Sequence, residues 1–377
     1  PRRHHRARVT DLVKKKLSID RPLAILLAIL IVGGAMLFAS AAFGLLARGS
    51  SNMSSVFFSH LVLGVGLGLI ALVALTFVDY RLYKPYAPYL YGLAILATFA
   101  VFIPHIGFAH GGARRWILLA GMSFQPSELL KIGSILMAAL YFSQIKGKVD
   151  SFLWGFGGLA GILILPALAL ILQPDIGTLG VVCISVGAIF FAAGAPWRQL
   201  LVVAVAGIVV LSALVYVKPY MRDRVMTFFN PSQGQLAESY QIRQSLIAIG
   251  SGGFSGRGFG QGVQKFTYLP EPMGDSIFAV AGEELGFIGA FGIVILFTLF
   301  AIRGYSIASR AQDLFGSLLA VGISTYLAVE AFINIASMLG VAPLTGIPLT
   351  FISQGGSAIL VSLASAGILL SVSKRRS

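Results

Sequence analysis

The stretch SIFAVAGEELGFIGAFGIVILFTLFAI, from Ser276 to Ile302, decides the fold class. Its 27 residues contain only two charged side chains, Glu283 and Glu284. About 20 predominantly apolar residues are enough for a helix to cross a bilayer. We therefore predict a transmembrane helix here and ask whether the rest of the chain repeats the pattern.

The composition extends this prediction to the whole chain. Of the 377 residues, 57% are hydrophobic and only 11% are charged, with a mean hydropathy of +0.87. Soluble domains carry roughly 25% charged residues. The sequence predicts an all-α polytopic membrane protein with ten transmembrane helices. The ten predicted spans are Leu23 to Ala47, Val56 to Val78, Tyr86 to Pro104, Ser127 to Phe142, Phe152 to Leu172, Ile176 to Ala193, Trp197 to Val217, Ser276 to Ile302, Leu314 to Leu339 and Pro348 to Val372.

The charge distribution predicts the orientation. The net charge of +14 would suit a nucleic-acid partner, but its placement follows the membrane instead. With the N-terminus inside, cytoplasmic segments hold 18 Lys and Arg and outer segments hold nine. Such a bias indicates that both termini are cytoplasmic. We predict a basic arm at 1–21 that lies on anionic lipid, a membrane domain at 22–377 and a basic tail at 373–377, with no nucleic-acid partner.

One long connection stands out. Residues 218–274 place 57 consecutive residues outside the membrane between the seventh and eighth predicted spans. Its first half, MRDRVMTFFNPSQG, is typical of a short amphipathic interfacial helix. Its second half contains seven glycines between Gly250 and Gly262, a density that lets backbone N–H groups approach a phosphate or a carboxylate. The alternative interpretation of the glycine run is a mobile hinge.

Two carboxylates, Glu271 and Asp275, end this connection. A carboxylate at a membrane surface packs poorly and is well placed for chemistry on a lipid-borne substrate. The alternative role for Asp275 is the N-cap of the following helix, where aspartate is favoured. In the third outer segment, Arg114 and Arg115 suit a pyrophosphate, and Trp116 offers a face for a sugar or a lipid. Taken alone, Trp116 is more often an interfacial anchor.

The remaining acidic residues favour structural pairing. Glu283 and Glu284 lie about 12 to 14 Å along the helix from Asp275 at 1.5 Å per residue, so at least one should face the bundle interior. Glu330 lies within the ninth predicted span, where charges are rare and usually paired. Glu128 and Lys131, three residues apart, predict a local ion pair.

Seven ordered motifs across the chain together resemble the SEDS family (shape, elongation, division and sporulation). They are GARRWI (Gly112 to Ile117), FQPSELLK (Phe124 to Lys131), LQPDIGT (Leu172 to Thr178), RVMTFFNP (Arg224 to Pro231), QSLIAIGSGGFSGRGFGQGVQKFTYLPE (Gln244 to Glu271), FAVAGEELGFIG (Phe278 to Gly289), and PLTGIP with FISQGGS (Pro343 to Ser357). The Gln264–Lys265 pair is more similar to the division type than to the elongation type. The chain departs from the family where His-Thr-Asp-Phe is replaced by Met273, Gly274, Asp275 and Ser276, and where Pro and Tyr are replaced by Thr350 and Gln354.

The resemblance implies a peptidoglycan glycosyltransferase of the bacterial plasma membrane that polymerises lipid II in division or elongation. Asp275 would be the general base on the acceptor 4-hydroxyl, and cationic side chains would stabilise the pyrophosphate leaving group. Because the reaction inverts the donor sugar, Asp275 should lie apart from the arginine cluster. The implied substrate-binding residues are Arg114, Arg115, Trp116, Lys131, Arg243, Lys265, Glu271, Ser353, Gly355 and Gly356, and the implied supporting residues are Glu128, Glu283, Glu284 and Glu330.

The resemblance also implies partners. These are lipid II, undecaprenyl-linked glycan, a class B penicillin-binding protein with transpeptidase activity, and other proteins of a division or elongation complex. A divalent cation, Mg²⁺ or Mn²⁺, on the pyrophosphate fits this chemistry, although no ligand cluster in the sequence specifies a metal site. Two alternatives stay open: a flippase or other transporter of lipid-linked precursors, and a non-catalytic scaffold of the division complex.

Overall fold

A computed structural model describes residues 19–47, 56–110, 113–119, 122–229 and 237–374. Most of the predicted basic arm and the last three residues of the predicted tail lie outside these ranges. The helices are α1 (Arg21–Ala47), α2 (Phe58–Phe77), α3 (Tyr83–Ala100), α4 (Pro126–Gln144), α5 (Phe152–Leu172), α6 (Ile176–Ala192), α7 (Trp197–Val217), α8 (Pro219–Phe229), α9 (Ala237–Ser251), α10 (Gln264–Thr267), α11 (Ile277–Ser309), α12 (Leu314–Met338) and α13 (Gly356–Lys374).

Helices occupy all ten predicted spans, but they differ in how well they suit a membrane. Among the described residues, seven are long and apolar enough to cross one: α1, α2, α5, α7, α11, α12 and α13. Tyrosines and Lys84 make α3 more polar, α4 carries Glu128 and Lys131, and α6 has only 17 residues. The chain is a multi-pass membrane protein, and ten as the number of spans stays a prediction.

The all-α prediction is wrong in one segment. Three short strands, β1 (Gly107–His110), β2 (Ala113–Leu119) and β3 (Met122–Phe124), form an antiparallel sheet in the order β1-β2-β3. Phe108 pairs with Trp116, and Ile117 pairs with Phe124. The sheet therefore builds the outer segment that contains Arg114 and Arg115.

The core of the bundle lies around α12 and α13. In each of these two helices, 78% of the most apolar window is buried, whereas in α7 the share is 0%. α12 packs against α11, α6 and α4, and α13 packs along α2. α7 contacts mainly α8 and stands at the edge of the bundle. The interior is therefore made by the C-terminal helices that flank the candidate site.

The long outer connection is folded against the bundle. A helix, α8, occupies the stretch predicted to be an interfacial helix, and its location at the membrane interface stays a prediction. α9 packs against α11, and α10 packs against α1. The glycine run between α9 and α10 lies on the outer part of α11. This packing explains Gly252 and Gly256, because a Cβ at these positions would collide with the carbonyl oxygens of Gly282 and Glu284.

Helix α11 is broken at Gly286, whose φ of 65° and ψ of −163° lie outside the helical region. The glycine run pairs with the main chain on both sides of this break. Arg257 N donates to Glu283 O at 3.0 Å, and Gly258 N donates to Glu284 O at 3.0 Å. Phe287 N donates in turn to Gly253 O at 2.9 Å. The backbone groups that the break removes from the helix are thereby satisfied.

Candidate active site

Asp275 lies in the loop that leads into α11. The N-cap of α11 is Ser276, and no side chain makes a capping hydrogen bond there. The alternative role of Asp275 as N-cap is therefore wrong, since it lies one residue before the capping position. Instead, Gln241 Nε2 on α9 donates to Asp275 Oδ1 at 3.0 Å and to Ser276 Oγ at 3.0 Å.

A second set of hydrogen bonds fixes the main chain around Asp275. Asn334 Nδ2 on α12 donates to Asp275 O at 2.7 Å and to Ile347 O at 2.8 Å. Ser353 Oγ donates to Gly274 O at 2.7 Å. The loop before α11 and the loop before α13 are thus tied to each other, with Asp275 at their junction.

Each of the two loops contains one residue with an unfavourable backbone conformation. Glu271 has a φ of 43° and Phe351 has a φ of 64°, a left-handed conformation that costs roughly 1–2 kcal/mol for a residue other than glycine. Two of the positions that depart from the family pattern meet here, because Gln354 N donates to Met273 O at 2.6 Å. The departures therefore lie at the contact between the two loops.

The surroundings of Asp275 favour a proton-accepting carboxylate. Burial raises its pKa to about 6, and the negative charge of Glu271 adds to this rise. The hydrogen bond from Gln241 and the charge of Arg224 on α8 oppose it. Sequence reasoning used Arg224 only as part of an amphipathic helix, and it missed Gln241 because no local pattern connects residues 241 and 275.

The arginines of the sheet do not form a shared clamp in this arrangement. Arg115 Nε donates to Gln173 O at 3.3 Å, its Nη2 donates to Pro174 O, and its Nη1 lies 4.0 Å from Asp175 Oδ1. Arg114 is exposed. The pairing of β2 with β1 is irregular here, since Phe108 pairs with Trp116 and Ala109 pairs with Arg114, which leaves Arg115 out of the strand register. Arg115 holds β2 to the loop between α5 and α6, and Arg114 faces solvent.

The sheet nevertheless adjoins the loop before α13. Gln125 N donates to Ser357 Oγ at 3.3 Å, and Gln125 Nε2 donates to Asp175 Oδ2 at 3.3 Å. The sheet is therefore tied to the start of α13 and to the residue before α6. The charged groups with the largest effect on the pKa of Asp275 are Glu271 and Arg224.

Lys131 is buried between two carboxylates. Its side chain is 2% exposed, and its Nζ lies 2.8 Å from Glu128 Oε2 and 2.7 Å from Glu330 Oε1. The predicted pair of Glu128 and Lys131 is confirmed. The proposed contact of Lys131 with pyrophosphate finds no support in this position.

Lys265 is buried in a second cluster. Its Nζ lies 2.6 Å from Glu284 Oε1, and it donates to Ser40 Oγ at 2.8 Å and to Gly260 O at 3.0 Å. With a side chain that is 0% exposed, Lys265 connects α10 to α1 and α11. It is held inside the protein, away from any substrate at the surface.

Glu283 and Glu284 both face the interior, which confirms the prediction that at least one does so. Val263 N donates to Glu283 Oε1 at 2.8 Å, and Gly260 N donates to Glu284 Oε2 at 3.0 Å. The glycine-rich segment was predicted to bind a phosphate or a carboxylate, and its main-chain N–H groups bind the carboxylates of Glu283 and Glu284. The glycines serve the two glutamates of α11.

The other predicted site residues differ in their exposure to solvent. Glu271 and Arg243 are exposed, Trp116 is half-buried, Ser353 is buried, and Gly355 and Gly356 precede and begin α13. Within the described ranges, no group of three or more His, Cys, Asp or Glu side chains is arranged to hold a metal ion. The structure thus joins Asp275 to Glu271 and Ser353 and adds Gln241, Asn334 and Arg224.

Comparison with known proteins gives consistent relatives. Stage V sporulation protein E of Bacillus subtilis is 37% identical over 360 residues, which are 96% of this chain and 98% of that protein. A probable peptidoglycan glycosyltransferase FtsW of Geobacter sulfurreducens is 42% identical over 280 residues, 74% of each chain.

Solved structures share the fold over almost the whole chain. One, described as showing structural coordination of polymerization and crosslinking by a peptidoglycan synthase complex, has a TM-score of 0.77 and 29% identity, covering 96% of this chain and 99% of that one. The rod shape determining protein RodA of Thermus thermophilus has a TM-score of 0.68 and 27% identity, covering 96% and 98%. The FtsW/RodA/SpoVE profile of cell cycle proteins matches residues 21–377, and the chain belongs to this family, the SEDS proteins.

Proposed function

We propose that this protein is a peptidoglycan glycosyltransferase that polymerises lipid II into glycan strands, with Asp275 as the general base. The observation that carries the proposal is the environment of this carboxylate. It is partly buried at the start of a membrane helix, is held by a neutral amide, and has a pKa raised to about 6. The curated relatives named as glycosyltransferases support the reaction class.

The proposed reaction has a simple balance. The 4-hydroxyl oxygen of the acceptor sugar forms a bond to the anomeric carbon of the donor, and the bond from that carbon to the pyrophosphate oxygen breaks. The hydroxyl proton passes to Asp275, and the lipid pyrophosphate leaves with the bonding electrons. A base with a pKa near 6 is largely ionised at neutral pH and still has appreciable proton affinity.

The leaving pyrophosphate needs positive charge at the outer face. Arg114 and Arg243 are exposed there, and Arg224 acts on Asp275 from α8. We assign the stabilising role to Arg114 and Arg243, because an inverting reaction places the leaving group on the face of the donor sugar opposite the base, whereas Arg224 acts on Asp275 itself. Arg115, Lys131 and Lys265 hold the surrounding structure through their contacts with main-chain carbonyls or carboxylates.

A Mg²⁺ or Mn²⁺ ion on the pyrophosphate also remains a proposal. The described residues contain no group of three candidate ligands, so the residues present do not fit a resident metal ion. The phosphate oxygens would have to supply most of its ligands, and no step of the proposed reaction depends on it.

Two further parts of the proposal concern surroundings. We place the protein in the bacterial plasma membrane with both termini in the cytoplasm, as the Lys and Arg distribution favours. We also propose a class B penicillin-binding protein as partner. The similar structure that belongs to a peptidoglycan synthase complex supports this choice, and other division or elongation proteins would join the same assembly.

The decisive experiment is a lipid II polymerisation assay on the purified protein with its partner. We expect Asp275→Asn to lower the rate by about 10²–10⁴-fold, the contribution of a positioned general base. Asp223→Asn is a matched control, because Asp223 is an exposed aspartate on α8. Glu271→Gln should retain most activity and so separate the two carboxylates.

Each alternative function gives its own result in this design. A transporter would move labelled lipid II between vesicle leaflets, and Asp275→Asn would leave this unchanged. A scaffold would recruit its partners without either activity. Full polymerisation by Asp275→Asn would refute the base assignment.

A further inference from the structure

The side chain of Gln241 is the one described amide that bonds the carboxylate of Asp275. Its Nε2 donates to Asp275 Oδ1 and to Ser276 Oγ, both at 3.0 Å. One amide group thus spans the candidate base and the N-cap residue of α11. Gln241 belongs to α9, so this contact connects the outer connection to the reacting end of α11.

A second amide, Asn334, holds the same residue differently. It donates to the main-chain oxygen of Asp275 at 2.7 Å and does not bond the carboxylate. Asn334 therefore fixes where the residue lies, whereas Gln241 fixes how the carboxylate is turned. With Oδ1 held by Gln241, Oδ2 is the oxygen left to receive a proton from an acceptor hydroxyl.

The two amides also differ in their electrostatic effect. A hydrogen bond donated to a carboxylate favours its charged form. Two charged groups also act on Asp275. They are Glu271, in its own loop, and Arg224, on α8. Burial and Glu271 favour the protonated form of Asp275, while Gln241 and Arg224 oppose it.

We propose that Gln241 is a positioning residue for the proposed base: it orients the carboxylate of Asp275 and keeps it ionised at neutral pH. The inference rests on the proposed function, because it assigns Asp275 the role of proton acceptor. It also predicts that a displacement of α9 would weaken the hydrogen bond to Asp275 and so change how readily Asp275 accepts a proton, even if the bound substrate did not move.

The test compares three variants of the full-length protein over pH 5 to 9. Gln241→Met keeps the length of the side chain but removes the donor. Gln241→Glu places a second carboxylate beside Asp275. Gln244→Ala is the matched control, since Gln244 is partly buried on the same helix one turn further on.

We expect the acid limb of the pH–rate profile to move upward by about one pH unit in Gln241→Met, the size of effect that one lost hydrogen bond to a carboxylate produces. The activity ratio of variant to wild type should then be about fivefold lower at pH 6 than at pH 8. Gln241→Glu should shift the limb further in the same direction. Gln244→Ala should leave it in place.

A second readout does not depend on activity. Carbodiimides react with protonated carboxyl groups, so the labelling of Asp275 followed by mass spectrometry reports its titration directly. The labelling midpoint should rise in Gln241→Met and stay constant in Gln244→Ala. If wild-type protein failed to polymerise lipid II, the proposed function would fall, but this midpoint would still test the control of Asp275 by Gln241.

Either of two results would overturn the inference. If Gln241→Met lowered kcat equally at all pH values and left the labelling midpoint unchanged, Gln241 would have only a structural role. A change confined to KM, with both midpoints unchanged, would also refute control of the base.

Discussion

Two kinds of carboxylate occur in this protein, and they differ in what surrounds them. Glu284 accepts hydrogen bonds from the Lys265 ammonium, a main-chain N–H and a serine hydroxyl. Asp275 is bonded by a neutral amide at its edge of the bundle. The first carboxylate is saturated by a full positive charge and other donors, whereas the second keeps a pKa near 6.

The difference separates structure from chemistry. Glu284 is bound by one buried cation and two neutral donors, so it belongs to a structural network inside the protein. A partly desolvated carboxylate that lacks such a buried partner can accept a proton at little cost. Glu283, Glu284 and Asp275 occur within ten residues of one another, yet Glu283 and Glu284 bind the glycine-rich segment whereas Asp275 is held by Gln241.

The buried ion pair of Lys265 and Glu284 should contribute strongly to stability. Lys265→Met leaves Glu284 as an uncompensated buried charge, and removal of one partner from such a pair typically costs about 3–5 kcal/mol. We therefore expect the Tm of Lys265→Met in detergent to be much lower than that of the wild type. Arg257→Met is the matched control: Arg257 lies 3.8 Å from Glu283 but is 42% exposed, so its loss should change Tm little. Equal Tm values for the two variants would contradict the distinction.

The buried cluster around Lys131 contains more acidic than basic side chains. Two carboxylates, Glu128 and Glu330, share one lysine, so the buried group carries an excess negative charge when all three are ionised. Lys131→Met should therefore destabilise the protein strongly, and Glu330→Gln, which removes the excess charge, should destabilise it much less. Thermal unfolding of both variants and of the double variant measures this asymmetry. A larger fall in Tm for Glu330→Gln than for Lys131→Met would refute the excess of negative charge as the cause.

The pKa of Asp275 also predicts how the wild-type rate depends on pH. Because the pKa of Asp275 is raised to about 6, the polymerisation rate should rise with pH as this carboxylate ionises, with half of the maximum near pH 6. A base with an ordinary aspartate pKa would reach half of its maximum near pH 4. Rates in matched ionic strength between pH 4 and 8 distinguish the two. A flat profile from pH 5 upward would remove the evidence that burial tunes Asp275.

The sequence predicted those parts of the structure that depend on local pattern. Apolar runs located helices in all ten predicted segments, and the amphipathic stretch before Phe229 located α8. The pair of Glu128 and Lys131 followed from helical spacing. The three-stranded sheet was missed because its strands are short, although the Gly-Gly pair at 111–112 is a sequence pattern typical of hairpins.

The contacts between distant residues could not be predicted in the same way. Lys265 meets Ser40 across 225 residues, and Lys131 meets Glu330 across 199. A lysine near an outer loop suits a phosphate and a buried carboxylate equally well until the fold decides between them. For the same reason Asp275 was found through its motif, but Gln241 and Asn334 were found only through the structure.

The break at Gly286 has a consequence for how the protein enters the membrane. A continuous apolar helix completes its own hydrogen bonds and can insert independently. In α11, two carbonyls before the break and two N–H groups after it find their partners about 30 residues earlier in the chain, at positions 253–258. Exposure of such groups to lipid costs several kcal/mol each. Insertion of this span and docking of the glycine-rich segment are therefore coupled, and we expect a protein made without residues 253–258 to insert this span poorly.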